Sequence, residues 1–140
     1  MPNKIVIYTD GGARGNPGPA AIGAVIGDKE YSEMIGETTN NIAEYKAAVF
    51  ALKKAKHLIG KKKTKETEVE IRSDSELLVN QLNGRYKIKE KELKDLFFEI
   101  WNLMSDFKNV SFVKIPREEN SLADSLLNRA LNKAVARLPF

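Results

Sequence analysis

The chain predicts a mixed α/β domain, and three observations carry that prediction. Runs of β-branched and aromatic residues come first as three strands; stretches with a helical apolar period then alternate with two more strands. That order contains two strand–helix–strand units, and right-handed crossovers set the fourth and fifth strands parallel to the first. A length of 140 residues with 42% hydrophobic content suits a single core.

The first strand is Ile5-Val6-Ile7-Tyr8-Thr9, which delivers Asp10 into a glycine-rich turn, Gly11 to Pro19. Alternation places Val6, Tyr8 and Asp10 on one face and Ile5, Ile7 and Thr9 on the other. Apolar residues on both faces mark a central, covered strand, where an acid is costly unless paired, protonated or metal-bound. Asp-Gly also begins turns, so the local sequence leaves both readings of Asp10 open. Ala20 to Ile26 and Tyr31 to Thr38 are the second and third strands, joined as an antiparallel hairpin through Gly27-Asp28-Lys29.

Asn40 or Asn41 is placed to cap a helix over 42–59, which Gly60 stops. Its small face is Ala48, Ala51, Ala55 and Leu58, and Glu44 lies on that stripe one turn earlier. The helix dipole favours an acid in the first turn, but it does not require that acid to face the core. Val69 to Ser73 is the fourth strand, after a lysine-rich loop. It ends at Asp74, which is also placed to cap the short helix 77–82 that Asn83-Gly84 closes. Residues 90–105 form a longer helix with Leu93, Leu96, Phe97, Ile100, Trp101 and Met104 as its core stripe. Val110 to Ile115 is the fifth strand; on the last helix Asp124 shares a face with Leu127, Leu131 and Ala134 and points toward the body. One domain over 1–136 and a loose tail over 137–140 complete the chain.

Composition removes several chemistries. Cysteine is absent, the single His57 sits among lysines, and no Gly-x-x-x-x-Gly-Lys phosphate loop occurs. Nothing near Met1 resembles a signal peptide, and the longest apolar run, Ala20 to Ile26, is far too short to span a bilayer. A cytoplasmic location and no membrane partner are the expectation. The net charge of +4 is compatible with a polyanionic partner. Seven lysines between Lys53 and Lys65, with no acid among them, suit either a solvated helix end or such a partner.

In sheets of this kind, sites form at the carboxyl ends of the parallel strands. Asp10 and Asp74 each stand where a strand gives out at that end, and Glu44 and Asp124 lie on the inward faces of early helical turns. Four carboxylates gathered there raise one another's pKa and titrate together. A divalent cation reverses the sign, and Mg²⁺ prefers such oxygens while leaving positions for substrate phosphate. Two ions roughly 3.5–4 Å apart can activate a water and stabilise the leaving oxygen of a phosphodiester.

These residues resemble ribonuclease H of type 1, the family that cuts the RNA strand of an RNA/DNA hybrid. The matching pieces are Tyr8-Thr9-Asp10-Gly11-Gly12 with Gly15-Asn16-Pro17-Gly18, then Thr38 to Glu44, Ser73-Asp74-Ser75, and Glu119 to Asp124. They stand in family order and span nearly the whole chain. The resemblance implies a five-stranded sheet of order 3-2-1-4-5 with helices on both faces. It implies Asp10, Glu44, Asp74 and Asp124 as ligands of two Mg²⁺ or Mn²⁺ ions, and products with 5′-phosphate and 3′-hydroxyl ends. It also puts Gly11, Gly12, Ala13, Asn16, Asn40 and Asn41 against the hybrid, where a 2′-hydroxyl distinguishes RNA from DNA. Turn and cap chemistry is the other reading of the asparagines.

The chain departs from the better-known bacterial pattern in three places. The loop before the last helix has no histidine, and Arg117 is the candidate to position water or bind phosphate, with an ion pair to Glu118 or Glu119 as the alternative. Glu76 stands where bacterial members often have a substrate-touching glutamine. The basic protrusion is reduced to Asn83-Gly84-Arg85-Tyr86-Lys87, so grip on the DNA strand falls to these residues, Tyr86 and Lys87 among them, and to the lysines after Leu52. Archaeal and some bacterial members resemble this compact version. The expected protein is a monomer acting on RNA/DNA hybrid, with double-stranded RNA as a further possible substrate. A non-catalytic nucleic-acid-binding module and a resolvase-like DNA nuclease on the same fold are the alternatives.

Overall fold

β1 (Asn3–Ala13) is the middle strand of a five-stranded sheet whose order, in the computed structural model describing residues 3–136, is β3-β2-β1-β4-β5. β2 (Gly18–Ile26) and β3 (Lys29–Thr38) form the antiparallel meander, while β4 (Thr67–Ser73) and β5 (Asn109–Lys114) run parallel to β1. The order is the one the family resemblance implies, and the mixed sense is the one the right-handed crossovers predict. Ile7, Val69 and Ile71 of the sheet pack with Tyr45, Leu52 and Ala55 of α1 (Asn40–Ile59) to form the main core. α4 (Lys91–Met104) closes this core with Leu93 and Ile100. α5 (Ser121–Ala136) covers the other face of β1, β2 and β3, where Ala21 meets Leu127, Ala130 and Leu131. No helix among the described residues is long and apolar enough to cross a membrane.

Several local expectations need correction. Asp10 does not end β1: the strand continues to Ala13 because Asp10, Gly11, Gly12 and Ala13 pair with Gly23, Ile22, Ala21 and Ala20 of β2. The cap of α1 is neither Asn40 nor Asn41 but Thr39, whose Oγ1 accepts from the Ile42 N–H. The cap of α3 (Glu76–Leu82) is likewise Ser75, not Asp74, with Oγ accepting from the Leu78 N–H at 3.1 Å. The lysine-rich loop contains a helical turn, α2 (Lys61–Thr64). Trp101 is 60% exposed and Leu58 40% exposed, so neither belongs to the buried core expected of its stripe; Trp101 lines an open groove with Leu82, Phe97 and Phe107. Asp124 is exposed rather than turned into the body. The tail expected over 137–140 lies outside the described residues.

Two glycines decide how near the covering helices come. A Cβ on Gly11 would lie 2.2 Å from the Ala43 carbonyl oxygen of α1, and one on Gly23 would lie 2.1 Å from the Ala123 carbonyl oxygen of α5. Both obstacles are backbone, which cannot swing aside as a side chain can. Each close approach stands next to an acid, Glu44 on α1 and Asp124 on α5. Gly23→Ala is therefore expected to cost about 1–3 kcal/mol of stability by pushing α5 off the sheet. The urea midpoint measures this, and an unchanged midpoint would show that the crossing is not tight.

Candidate active site

The site begins where two strands part. β1 and β4 stay paired as far as Tyr8 and Arg72, after which β1 keeps its ladder with β2 while β4 turns away through Ser73 and Asp74 into α3. The Thr9 carbonyl, left without a β4 partner, accepts from Asn120 Nδ2 at 2.9 Å. Asn120 is 1% exposed and closes the gap between the diverging strands. Asp10 and Asp74 stand on either side of that gap. Because Ser75 caps α3, the Asp74 carboxyl is not engaged as the helix cap.

α1 supplies the third acid. Its close passage over Gly11 brings Glu44 Oε1 within 2.7 Å of the Gly11 N–H, which also lies 3.0 Å from Asp10 Oδ1. One backbone donor thus faces two carboxylates. Asp10, Glu44 and Asp74 each offer an oxygen within 4.8 Å of the others. Asp124 stays outside this trio yet lines the same cavity of about 430 Å³ and acts on the Asp10 carboxyl. The four acids do converge. All the donors are hard carboxylate oxygens, a set that suits a divalent cation such as Mg²⁺.

Electrostatics say the same. Burial, reinforced by Asp74 and Asp124, pushes Asp10 up to about 7. Burial, followed by the charge of Asp10, also raises Glu44 well above the usual carboxylate range. Asp74 is raised mainly by burial, with Arg117 and a hydrogen bond from Asn120 opposing it. Arg117 therefore faces Asp74 across the cavity mouth and makes no ion pair with Glu118 or Glu119.

The glycine turn is pinned to α1 by its asparagines. Asn40 Oδ1 accepts from the Ala13 N–H at 2.8 Å, and Asn16 Oδ1 accepts from the Asn40 N–H at 3.0 Å. Gly11, Gly12, Ala13, Asn40 and Asn41 line the cavity with the acids; Asn16 braces the turn behind it. Tyr86 and Lys87 do not line it. The Tyr86 hydroxyl donates to Glu76 Oε1 at 3.2 Å, and Glu76 does not line the cavity, so that carboxylate is engaged with the 83–90 loop rather than with the acids. Sequence reasoning missed Arg14, Asn128 and the role of Asn120; their relevance depends on which loops face one another, a property without local periodicity.

A carboxyl with a raised pKa binds more protons folded than unfolded between its two pKa values. The metal-free fold is therefore expected to lose stability as pH rises from about 4 through about 7, the range set for Asp10. Asp10→Asn removes that titration, so its melting temperature in chelator at pH 8 is expected to equal or exceed that of the unaltered chain. Calorimetry across pH checks both; a variant that melts lower at pH 8 would make Asp10 a stabilising group.

Comparison with known proteins agrees with this geometry. A family profile described as reverse transcriptase-like matches residues 8–130. A bifunctional protein of Mycobacterium tuberculosis is 38% identical over 94% of this chain, which spans about a third (36%) of that relative's length. Ribonuclease H of Acetivibrio thermocellus is 31% identical, with 93% of this chain and 96% of the relative covered. The crystal structure of LC11 ribonuclease H1 in complex with RNA/DNA hybrid superposes with a TM-score of 0.88 at 51% identity, covering 94% of this chain and 99% of that one. Matched nearly end to end by ribonucleases H in both sequence and fold, this chain belongs to the type 1 ribonuclease H family.

Proposed function

We propose that the protein is an endoribonuclease that hydrolyses the RNA strand of RNA/DNA hybrids, leaving 5′-phosphate and 3′-hydroxyl ends. The observation that carries this reading is the convergence of Asp10, Glu44, Asp74 and Asp124, from four separate segments, on one cavity of a ribonuclease H fold. A pure binding module gains nothing from clustered negative charge beside phosphate. Two Mg²⁺ or Mn²⁺ ions, a monomeric enzyme, a catalytic domain over 1–136 and a cytoplasmic location belong to the same reading.

Asp10, Glu44, Asp74 and Asp124 are the residues that would hold the cations. Bound there, the cations supply activation of water and neutralisation of charge on the leaving oxygen. The Gly11 N–H fixes Glu44 and Asp10 relative to each other. Asn120 fixes Asp74 relative to β1. Arg117 presents a planar fork of N–H donors at the cavity, which suits it to hold phosphate charge or orient water. The carbonyl oxygens of Asn16 and Asn40 are engaged by backbone, which leaves their NH₂ groups to donate to sugar or phosphate oxygens. The backbone of Gly11, Gly12 and Ala13 offers the close approach that reading a 2′-hydroxyl requires. Tyr86 and Lys87, away from the cavity, are placed for a more distant part of the complementary strand.

A strand-labelled cleavage assay on RNA/DNA hybrid, double-stranded RNA and double-stranded DNA tests the proposal. Cutting confined to RNA strands and dependent on added Mg²⁺ or Mn²⁺ is expected; cleavage of DNA alone, or of nothing, defeats it. Asp10→Asn is expected to abolish cleavage. Arg117→Ala is expected to lower kcat by about 10²-fold with little change in KM, and an unaltered kcat removes Arg117 from the mechanism.

A further inference from the structure

The acidic cavity is lined by two arginines, Arg117 and Arg14. Arg14 lies in the β1–β2 turn and lines the same cavity as Asp10, Glu44, Asp74, Asp124 and Arg117. The sheet order sets the β1–β2 turn on one side of Asp10 and the Arg117 segment, between β5 and α5, on the other. Among the described residues, Arg14 has no carboxylate within ion-pair distance. Its guanidinium instead donates from Nη2 to the Asn132 side-chain oxygen of α5 at 2.5 Å.

A neutral amide orients a guanidinium without cancelling its charge, and it occupies one of five donors. The backbone beneath is also fixed. The Arg14 N–H donates to the Pro19 carbonyl at 2.8 Å, the preceding Ala13 is held by Asn40 of α1, and the whole turn is therefore set against both covering helices. An exposed arginine held in one place, uncompensated and beside a site for a phosphodiester, has the geometry to take phosphate oxygens bidentately. We infer that Arg14, oriented by Asn132, binds a phosphate of the cleaved strand next to the scissile one, on the side away from Arg117. Arg14 lines the same cavity as Asp10, only four residues farther along the chain, so the strand whose phosphate reaches Asp10 is the one assigned. This rests on the activity proposed above and adds a substrate contact to it.

The test uses RNA/DNA hybrids in which one linkage is an uncharged methylphosphonate, moved one position at a time along either strand. With the unaltered protein, neutralising the contacted RNA linkage is expected to raise KM about tenfold, and Arg14→Ala on the fully charged hybrid to do the same while kcat stays within about twofold. Arg14→Ala is expected to be indifferent to the neutral linkage at that one position and to reduce the slope of log KM against log salt by about one. Arg14→Lys should restore the salt slope but only part of the KM, since it keeps the charge and loses the fork. Asn132→Ala should raise KM less than Arg14→Ala. An Arg14→Ala enzyme with unchanged KM and salt slope overturns the inference. So does one that stays sensitive at every RNA position, one whose missing contact maps to the DNA strand, or one whose KM change is matched by a lowered melting temperature in both Arg14 variants. Binding of the same hybrids, read by fluorescence anisotropy, separates the two failures: an unaltered chain that binds but does not cut defeats the activity, not the contact.

Discussion

Carboxylates brought together repel, and this fold overcomes that repulsion with backbone rather than with counter-charge. The force comes from two helix-over-strand crossings so close that only glycine fits beneath them, Gly11 under α1 and Gly23 under α5. The main core, from Ile7 through Leu52 to Ile71, holds α1 in place, so Glu44 cannot retreat from Asp10 without losing buried apolar contact. The raised pKa of Asp10 and Glu44 is the electrostatic record of that constraint. A site assembled against its own charge is ready for a cation, and it becomes more favourable when one arrives.

The polar framework around the acids works by filling backbone vacancies. Asn120 answers the Thr9 carbonyl where β4 leaves the sheet, and it also bears on Asp74. Asn40 and Asn16 close the glycine turn onto α1. Thr39 and Ser75 cap the two helices beside the site, which leaves the neighbouring Asn40 and Asp74 for other work. The arginines then bracket a negative centre, Arg117 facing Asp74 and Arg14 tied to α5. On the proposed reading, a strand of phosphates laid across the cavity would meet a cation on each side of the acids.

The fold was legible wherever pattern had a period. Alternation in β1, the alanine stripe of α1 and the order of strands gave the sheet and the two covered faces, with ends off by only one to three residues in most elements. Pattern failed where two candidates stood side by side. Thr39, Asn40 and Asn41 can all cap a helix, and Ser75 competes with Asp74; backbone geometry at the junction chooses between them. Trp101 belongs to the apolar stripe of α4, but it lines an open groove beside Leu82 and Phe107, and no spacing within α4 reveals which neighbours leave it uncovered.

By itself the sequence determined which residues are candidates for the chemistry. Four acids in β-strand and early-helix settings, with no cysteine and one histidine, leave few other reactions open, and the motifs that hold them come in one family's order. Tertiary structure alone decided their distances: that Asp10, Glu44 and Asp74 fall within 4.8 Å of one another, that Asp124 stays at the exposed rim, that Glu76 turns to Tyr86, and that Arg14 shares the cavity. The reason is physical. Residue type and period are local properties fixed by covalent order, whereas proximity between residues 34 or 114 positions apart exists only once the strands pair and the helices cross.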